Sequence, residues 1–345
     1  MKGSIFFLIL LLPGLLFGQV VEADDSAVVF MYHRFGENQY PATNIRVEQF
    51  RQQMDYLRDG GFTVIPLAEL MAFLSGGQSL PSKTVVITVD DSYRSVYEVA
   101  YPLLLKYGFP FTVFVSTDPV DHKLPGYLNW DQMREMASRG VTFANHGAGH
   151  LYMVQRLPGE AETEWRERVA DDIEKGWRRL TEELTTPLAG AFAYPYGEYD
   201  TGVSELLKNR GYIAFGQQSG AIGRLSDQRA LPRFPMAEAF AEMSEFRTKA
   251  MSLPLPVTEV VPWDPVTIDI LPELTITLGE SAARLDDLAC FVGGQGRVEV
   301  SWIKPSGQFI VKPAQPLGKG RQRVNCTAPR NDGRYFWFSH QWIVQ

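Results

Sequence analysis

Short apolar runs alternate with amphipathic stretches from Ala27 to about Pro235. "AVVFMYH", "FTVI", "TVVITVD", "PFTVFVS", "VTFAN", "GAFAYP" and "YIAFG" are strand-length runs rich in β-branched and aromatic residues. "TVVITVD" has no polar face, the pattern of a parallel strand covered on both sides. Helical spacing appears between these runs. Val47, Phe50, Met54 and Leu57 line one face of "NIRVEQFRQQMDYLRDGG", and Gly60-Gly61 supply a stop. "SVYEVAYPLLLKYG" predicts a helix that ends at Gly108 and kinks at Pro102. "DQMREMASRG", "SELLKNRG" and the charged stretch Glu160 to Glu183 complete the series. Such alternation predicts an α/β fold with a parallel sheet or barrel. Its chemistry gathers where the strands end.

The pattern changes after Phe246. Pro254, Pro256, Pro262 and Pro265 mark a linker, and period-two runs follow: "VTIDI", "LTITL", "RVEVSWI", "QFIVK" and "RYFWFSHQWIV". These predict a small β-sandwich of about 80 residues. The expected organisation is therefore a leader over 1–23, an α/β domain over 24–250, a proline-rich linker over 251–265 and a β-sandwich-like domain over 266–345.

The leader reading rests on Lys2 followed by "IFFLILLLPGLLF", an apolar run of signal-peptide length broken by Pro13. It implies an exported chain, periplasmic or extracellular, with no stable membrane insertion once the leader is removed. Export suits a disulfide between Cys290 and Cys326, the only cysteines. A net charge of −7 argues against nucleic acid or an anionic membrane as partner.

Polar residues inside this pattern carry the candidate chemistry. "TVVITVD" runs straight into a second aspartate, so Asp90 and Asp91 stand side by side where a buried strand stops. Two adjacent carboxylates repel, and neither belongs in a core. "VTFANHGAGH" delivers His146 and His150 four residues apart after another strand. Two histidines and one carboxylate form a ligand set for a divalent metal with open positions. One aspartate then binds the metal and the other accepts a proton from the attacking water. In "FAYPYGEYD", Tyr194 and Tyr196 are candidates to wall a sugar site, and a backbone N–H beside Pro195 is a candidate to meet an oxyanion.

"TVDDS", "HGAGH" and "YPYG" resemble the first three motifs of the polysaccharide deacetylases, carbohydrate esterase family 4, whose unit is the NodB-homology domain. Order and spacing agree over about Ala27 to Pro235. The resemblance implies a distorted (β/α) barrel that binds zinc, or cobalt or nickel in its place, and removes N-acetyl groups from N-acetylglucosamine-containing polysaccharide. It assigns the base to Asp90, the metal to Asp91, His146 and His150, and the oxyanion donor to the N–H of Tyr196. The chain departs from the family pattern mildly at Val89, where phenylalanine is usual, and Ser92, where glycine is usual, and more strongly at three further points. Gly147 stands where Ser or Thr is usual, and Ala193 stands where an arginine pairs with the base. The late L-x-H motif with the general-acid histidine does not follow "YPYG". "VFMYHRFGE" resembles the opening of a rearranged branch that includes exported poly-N-acetylglucosamine deacetylases. That resemblance makes His33 the general acid, its pKa raised by a neighbouring carboxylate. Arg233, in "LPRFPM", is nominated for the missing arginine. Two other readings stand beside this one: an impaired carbohydrate-binding protein on the same fold, and a deacetylase of peptidoglycan or small glycans.

Overall fold

The computed structural model describes residues 25–345 apart from 187, 281 and 304–306. The leader expected over 1–23 lies outside the described residues. No helix among the described residues is long and apolar enough to cross a membrane.

Seven strands form the spine of the α/β part. They are β1 (Ser26–Tyr32), β2 (Thr84–Asp90), β3 (Thr112–Val115), β4 (Thr142–Asn145), β5 (Ala191–Ala193), β6 (Ile213–Phe215) and β7 (Ala221–Gly223). The sheet runs β7-β1-β2-β3-β4-β5-β6, curling as a half-barrel rather than a closed ring. All neighbours are parallel except β7, which runs against β1. Phe234–Pro235 adds a short parallel pairing to β1.

Strand parity sorts the side chains. Val28, Phe30 and Tyr32 of β1, with Val85, Ile87 and Val89 of β2, pack outward into one core with Phe50, Met54 and Leu57 of the helix Val47–Asp59. Ala27, Val29 and Val86 face the other way, into an interior shared with Phe114, Ala144, Ala191, Ala193 and the helix Leu67–Leu74. Asp90 falls in the parity of Val86 and Thr88, so it points into the upper interior.

A π-helical turn over Val96–Ala100 runs without a break into the helix Tyr101–Tyr107, so the irregular turn falls directly before Pro102, where the missing N–H disturbs the ladder. The helix stops at Gly108, which takes the left-handed conformation at φ 68°.

The C-terminal part is all β, with sheets of six and four strands packed around their own apolar core. The proline-rich stretch is itself part of the sheets. Leu253–Pro254 pairs with β9 (Tyr335–Val344), and Val257–Val261 pairs with Leu274–Leu278. "VTIDI" forms a strand only over Val266–Thr267. The longest unanticipated element is β8 (Gly320–Pro329), antiparallel to β9. Its sequence mixes Arg, Gln and Asn into the apolar rhythm, which hid it. Cys290 and Cys326 face each other across neighbouring strands and are disulfide-bonded.

β9 also touches the half-barrel. The ring of Trp337 meets Phe234 edge-on at 5.2 Å, and Gln341 Nε2 donates to Gly197 O at 2.8 Å.

Candidate active site

Asp90 and Arg233 are both wholly buried. Arg233 Nη1 and Nη2 donate to the two Asp90 oxygens at 2.7 Å each, a bidentate fork. Arg233 is fixed in turn by Nε to Gly216 O at 3.0 Å and Nη1 to Thr88 Oγ1 at 3.3 Å. Burial alone would raise the Asp90 carboxyl. The Arg233 charge and hydrogen bonds, with His146 and His33, outweigh it, and the group stays below its ordinary range. Arg233, far away in sequence, thus stands beside the carboxylate as an arginine at 193 was expected to.

Asp91 turns the chain sharply, at φ 72°. Its Oδ1 lies 3.2 Å from His146 Nε2 and 3.1 Å from His150 Nε2. The three ligand atoms lie within 4.8 Å of one another. His146 Nδ1 is 2.7 Å from Ala193 O. A carbonyl only accepts, so Nδ1 carries the proton and Nε2 presents its lone pair. Asp91 Oδ1 and His146 Nε2 are nevertheless shut off from water without a hydrogen-bond partner. Converging, desolvated, unsatisfied N and O atoms of this kind fit a divalent cation.

The histidine loop is held from below by a residue that motif reading missed. Asp172 on the helix Glu162–Glu183 accepts Ala148 N–H at 3.1 Å and Gly149 N–H at 2.7 Å. Asn145 Oδ1 accepts Gly147 N–H at 2.9 Å. Gly147 has φ +75°, and a Cβ there would lie 2.4 Å from Asp172 Oδ2. The usual Ser or Thr has no room, because Asp172 fills its place. A signal was present: Asp172 lies on the same helix face as buried Trp165, Val169, Ile173 and Gly176.

His33 follows β1 and is half-buried. It feels the charges of Asp91, Asp90, Arg233 and His146, so it belongs to the same rim. The expected upward shift does not occur. Burial lowers the imidazole, and the two carboxylates only partly offset it.

The "YPYG" loop divides. Tyr194 is not a sugar wall: its ring is buried in a core with Phe192 and Tyr199, and its hydroxyl donates to Arg229 O at 2.7 Å. Pro195 is also buried and offers no surface. Tyr194 continues the parity of Phe192, away from the interior that Ala191 and Ala193 line. Tyr196 stays at the rim with φ 59°, its ring 4.4 Å from His150 and stacked on exposed Tyr152 at 3.7 Å. His122 is exposed, and His340 is buried among the C-terminal strands.

Residues 77–215 match the family model described as polysaccharide deacetylase. The window includes the three motifs but neither His33 nor Arg233. The chain is 29% identical over 231 residues to the poly-beta-1,6-N-acetyl-D-glucosamine N-deacetylase of Escherichia coli, spanning 56% of itself and 34% of that relative. It is 23% identical over 216 residues to the enzyme of the same name from Staphylococcus aureus, covering 61% of this chain and 73% of that one. Among solved structures, IcaB from Ammonifex degensii aligns with a TM-score of 0.56 and 29% identity, over 66% of this chain and 97% of that one. The Streptococcus pyogenes deacetylase PplD, solved with acetate, shares the fold at a TM-score of 0.55 and 24% identity, over 61% of this chain and 92% of that one.

Proposed function

We propose, from the premise that the half-barrel belongs to the polysaccharide deacetylase family, that this protein hydrolyses N-acetyl groups of an N-acetylglucosamine-containing polysaccharide and releases acetate. The observation that carries the reading is the buried Asp90–Arg233 fork beside the convergent Asp91, His146 and His150.

Asp91, His146 and His150 would hold the metal, zinc in the first instance. Bound there, a divalent cation supplies Lewis-acid polarisation of the acetamide carbonyl and makes a water easier to deprotonate. Asp90 takes the proton of the attacking water. Arg233 keeps the carboxylate ionised and aimed, so the acceptor stands ready before substrate arrives. The N–H of Tyr196 is the candidate donor to the developing oxyanion. His33 delivers a proton to the departing amine. Because burial lowers its pKa, His33 is neutral at rest, so the proton it delivers is the one Asp90 takes from the water, passed on before the amine departs. Tyr196 and Tyr152 supply an aromatic surface for a sugar ring. Export remains part of the proposal, and the Cys290–Cys326 bond suits an oxidising compartment.

An impaired carbohydrate-binding protein drew its motive from Ala193, and the Asp90–Arg233 fork speaks against it. The test is acetate release from N-acetylglucosamine oligomers, with and without chelator. Release that chelator abolishes and metal restores is expected; no release under any metal would sink the reading. His33→Ala should lose ~100-fold or more on the amide, the range of general-acid catalysis, and far less on an aryl acetate ester. Equal losses on both would return His33 to a packing role.

A further inference from the structure

The rim has a neighbour from the far end of the chain. In the β8–β9 pair, Arg323 stands opposite Gln341, and Arg321 opposite Ile343. Cross-strand partners share a face of the sheet. Gln341 fixes which face, because its side chain donates to Gly197 O in the "YPYG" loop. Arg321 and Arg323, two apart on one strand, therefore point toward the loop that carries Tyr196 and Glu198.

Both arginines are partly buried. Arg321 Nη1 and Arg323 Nε are shut off from water with no hydrogen-bond partner. Burial lowers both guanidinium groups. Arg321 adds to the effect on Arg323, while Glu198 and Tyr152 oppose it on Arg321. Two adjacent cations, each with a guanidinium nitrogen shut off from water and without a hydrogen-bond partner, are costly in a protein that leaves them so. The chain has 40 acidic residues against 33 basic ones, yet among the described residues Glu198 is the one carboxylate that acts on this pair.

The route from the candidate metal ligands runs through rings. His150 meets Tyr196, Tyr196 stacks on Tyr152, and Tyr152 lies within electrostatic reach of Arg321. The arginines thus lie along the rim beyond the reacting acetamide. We infer that Arg321 and Arg323 form an anion-binding subsite, through which the C-terminal sandwich selects a glycan strand bearing a carboxylate or phosphate on a sugar next to the one deacetylated. The position along the strand rests on the deacetylase reading; the anion site does not. Guanidinium forks suit either anion, and two of them side by side give a planar, multidentate grip.

Calorimetry on the full chain tests this with three hexasaccharides: chitohexaose, a hyaluronan hexasaccharide with alternating carboxylates, and chitohexaose carrying one 6-phosphate. At low salt the preferred anionic glycan should bind ~10-fold tighter than chitohexaose, as a charge-assisted fork allows. Which anionic glycan wins separates carboxylate from phosphate. The preference should fade toward about 0.5 M salt in the unaltered protein. It should collapse in Arg321→Gln/Arg323→Gln and survive in part in Arg321→Lys/Arg323→Lys. Equal Kd values for all three glycans would overturn the subsite, as would a preference unchanged in the Gln variant. Acetate release from chitohexaose is read in parallel. Anion preference without release under any metal would overturn the deacetylase reading and leave the subsite standing; release without preference would do the reverse.

Discussion

The two sides of the catalytic rim are built on opposite terms. On the Asp90 side both carboxylate oxygens meet Arg233, and Arg233 is anchored again on Thr88 and Gly216. On the Asp91 side, one residue further along, a carboxylate oxygen and an imidazole nitrogen are buried with no partner. Burial is comparable and the residues adjoin, so desolvation does not separate them. What differs is saturation. A saturated pair defines a shape before any ligand arrives, whereas an unsaturated cluster holds free energy that a cation releases on binding.

The contrast can be broken most severely on the open side. His146→Ala/His150→Ala should lose the metal and, with it, essentially all turnover; elemental analysis beside an acetate assay reads both. A variant that still holds one equivalent would mean the cluster is not the metal site.

Breaking the closed side should hurt the fold as well. Arg233→Gln leaves Asp90 buried without a counter-charge, a loss of ~3–5 kcal/mol. The sign with pH follows from the depressed Asp90 carboxyl. Its contribution is full above its unfolded value near 3.8 and is lost as pH falls through the lower folded value. Urea melts of Arg233→Gln should therefore show the large deficit at pH 7 and a much smaller one in strong acid. A deficit independent of pH would point to packing instead.

An orphan remote from the rim sharpens the comparison. His340 Nε2 is buried without a partner among the C-terminal strands, and burial pushes the ring down to about 4. It folds neutral, so its contribution is complete above 6.5 and drains away as pH falls toward 4, by roughly 3 kcal/mol. His340→Gln should flatten that slope in thermal melts, and an unchanged slope would refute the assignment. The smallest effect is expected from Asp172→Ala, which loosens the loop beneath His146 and His150. Metal affinity should fall about 10–100-fold with the ligands intact. Competition with a chelating dye measures it, and unaltered affinity would mean the loop holds itself.

Much of this was legible in the sequence. Asp90, Asp91, His146 and His150 stand out because ionisable residues end apolar strands, and the structure brings all four together. The half-barrel was legible for the same reason: its strands are nearly pure apolar runs. Tyr194 was misread because a motif does not say which way a side chain points; parity along β5 does. Asp172 went unnoticed because its helix looks solvated until the buried stripe is traced. β8 was missed because its core-facing side carries Gln322, Cys326 and Ala328 beside Val324, polar or small residues that make the apolar half of the alternation faint. His33 was placed by resemblance, but its acidity is set by burial, which no motif encodes.

Gly147 and Asp172 also constrain how this loop can change. The carboxylate occupies the volume that a side chain at 147 would need, and the backbone there is left-handed. Ser at 147 alone would collide, and a small residue at 172 alone would drop the Gly149 N–H while Ala148 N–H keeps the backbone carbonyl of residue 172. The hydroxyl-braced and carboxylate-braced versions of the loop are thus separate solutions. Each single substitution between them passes through a weaker metal loop, so the two positions constrain each other.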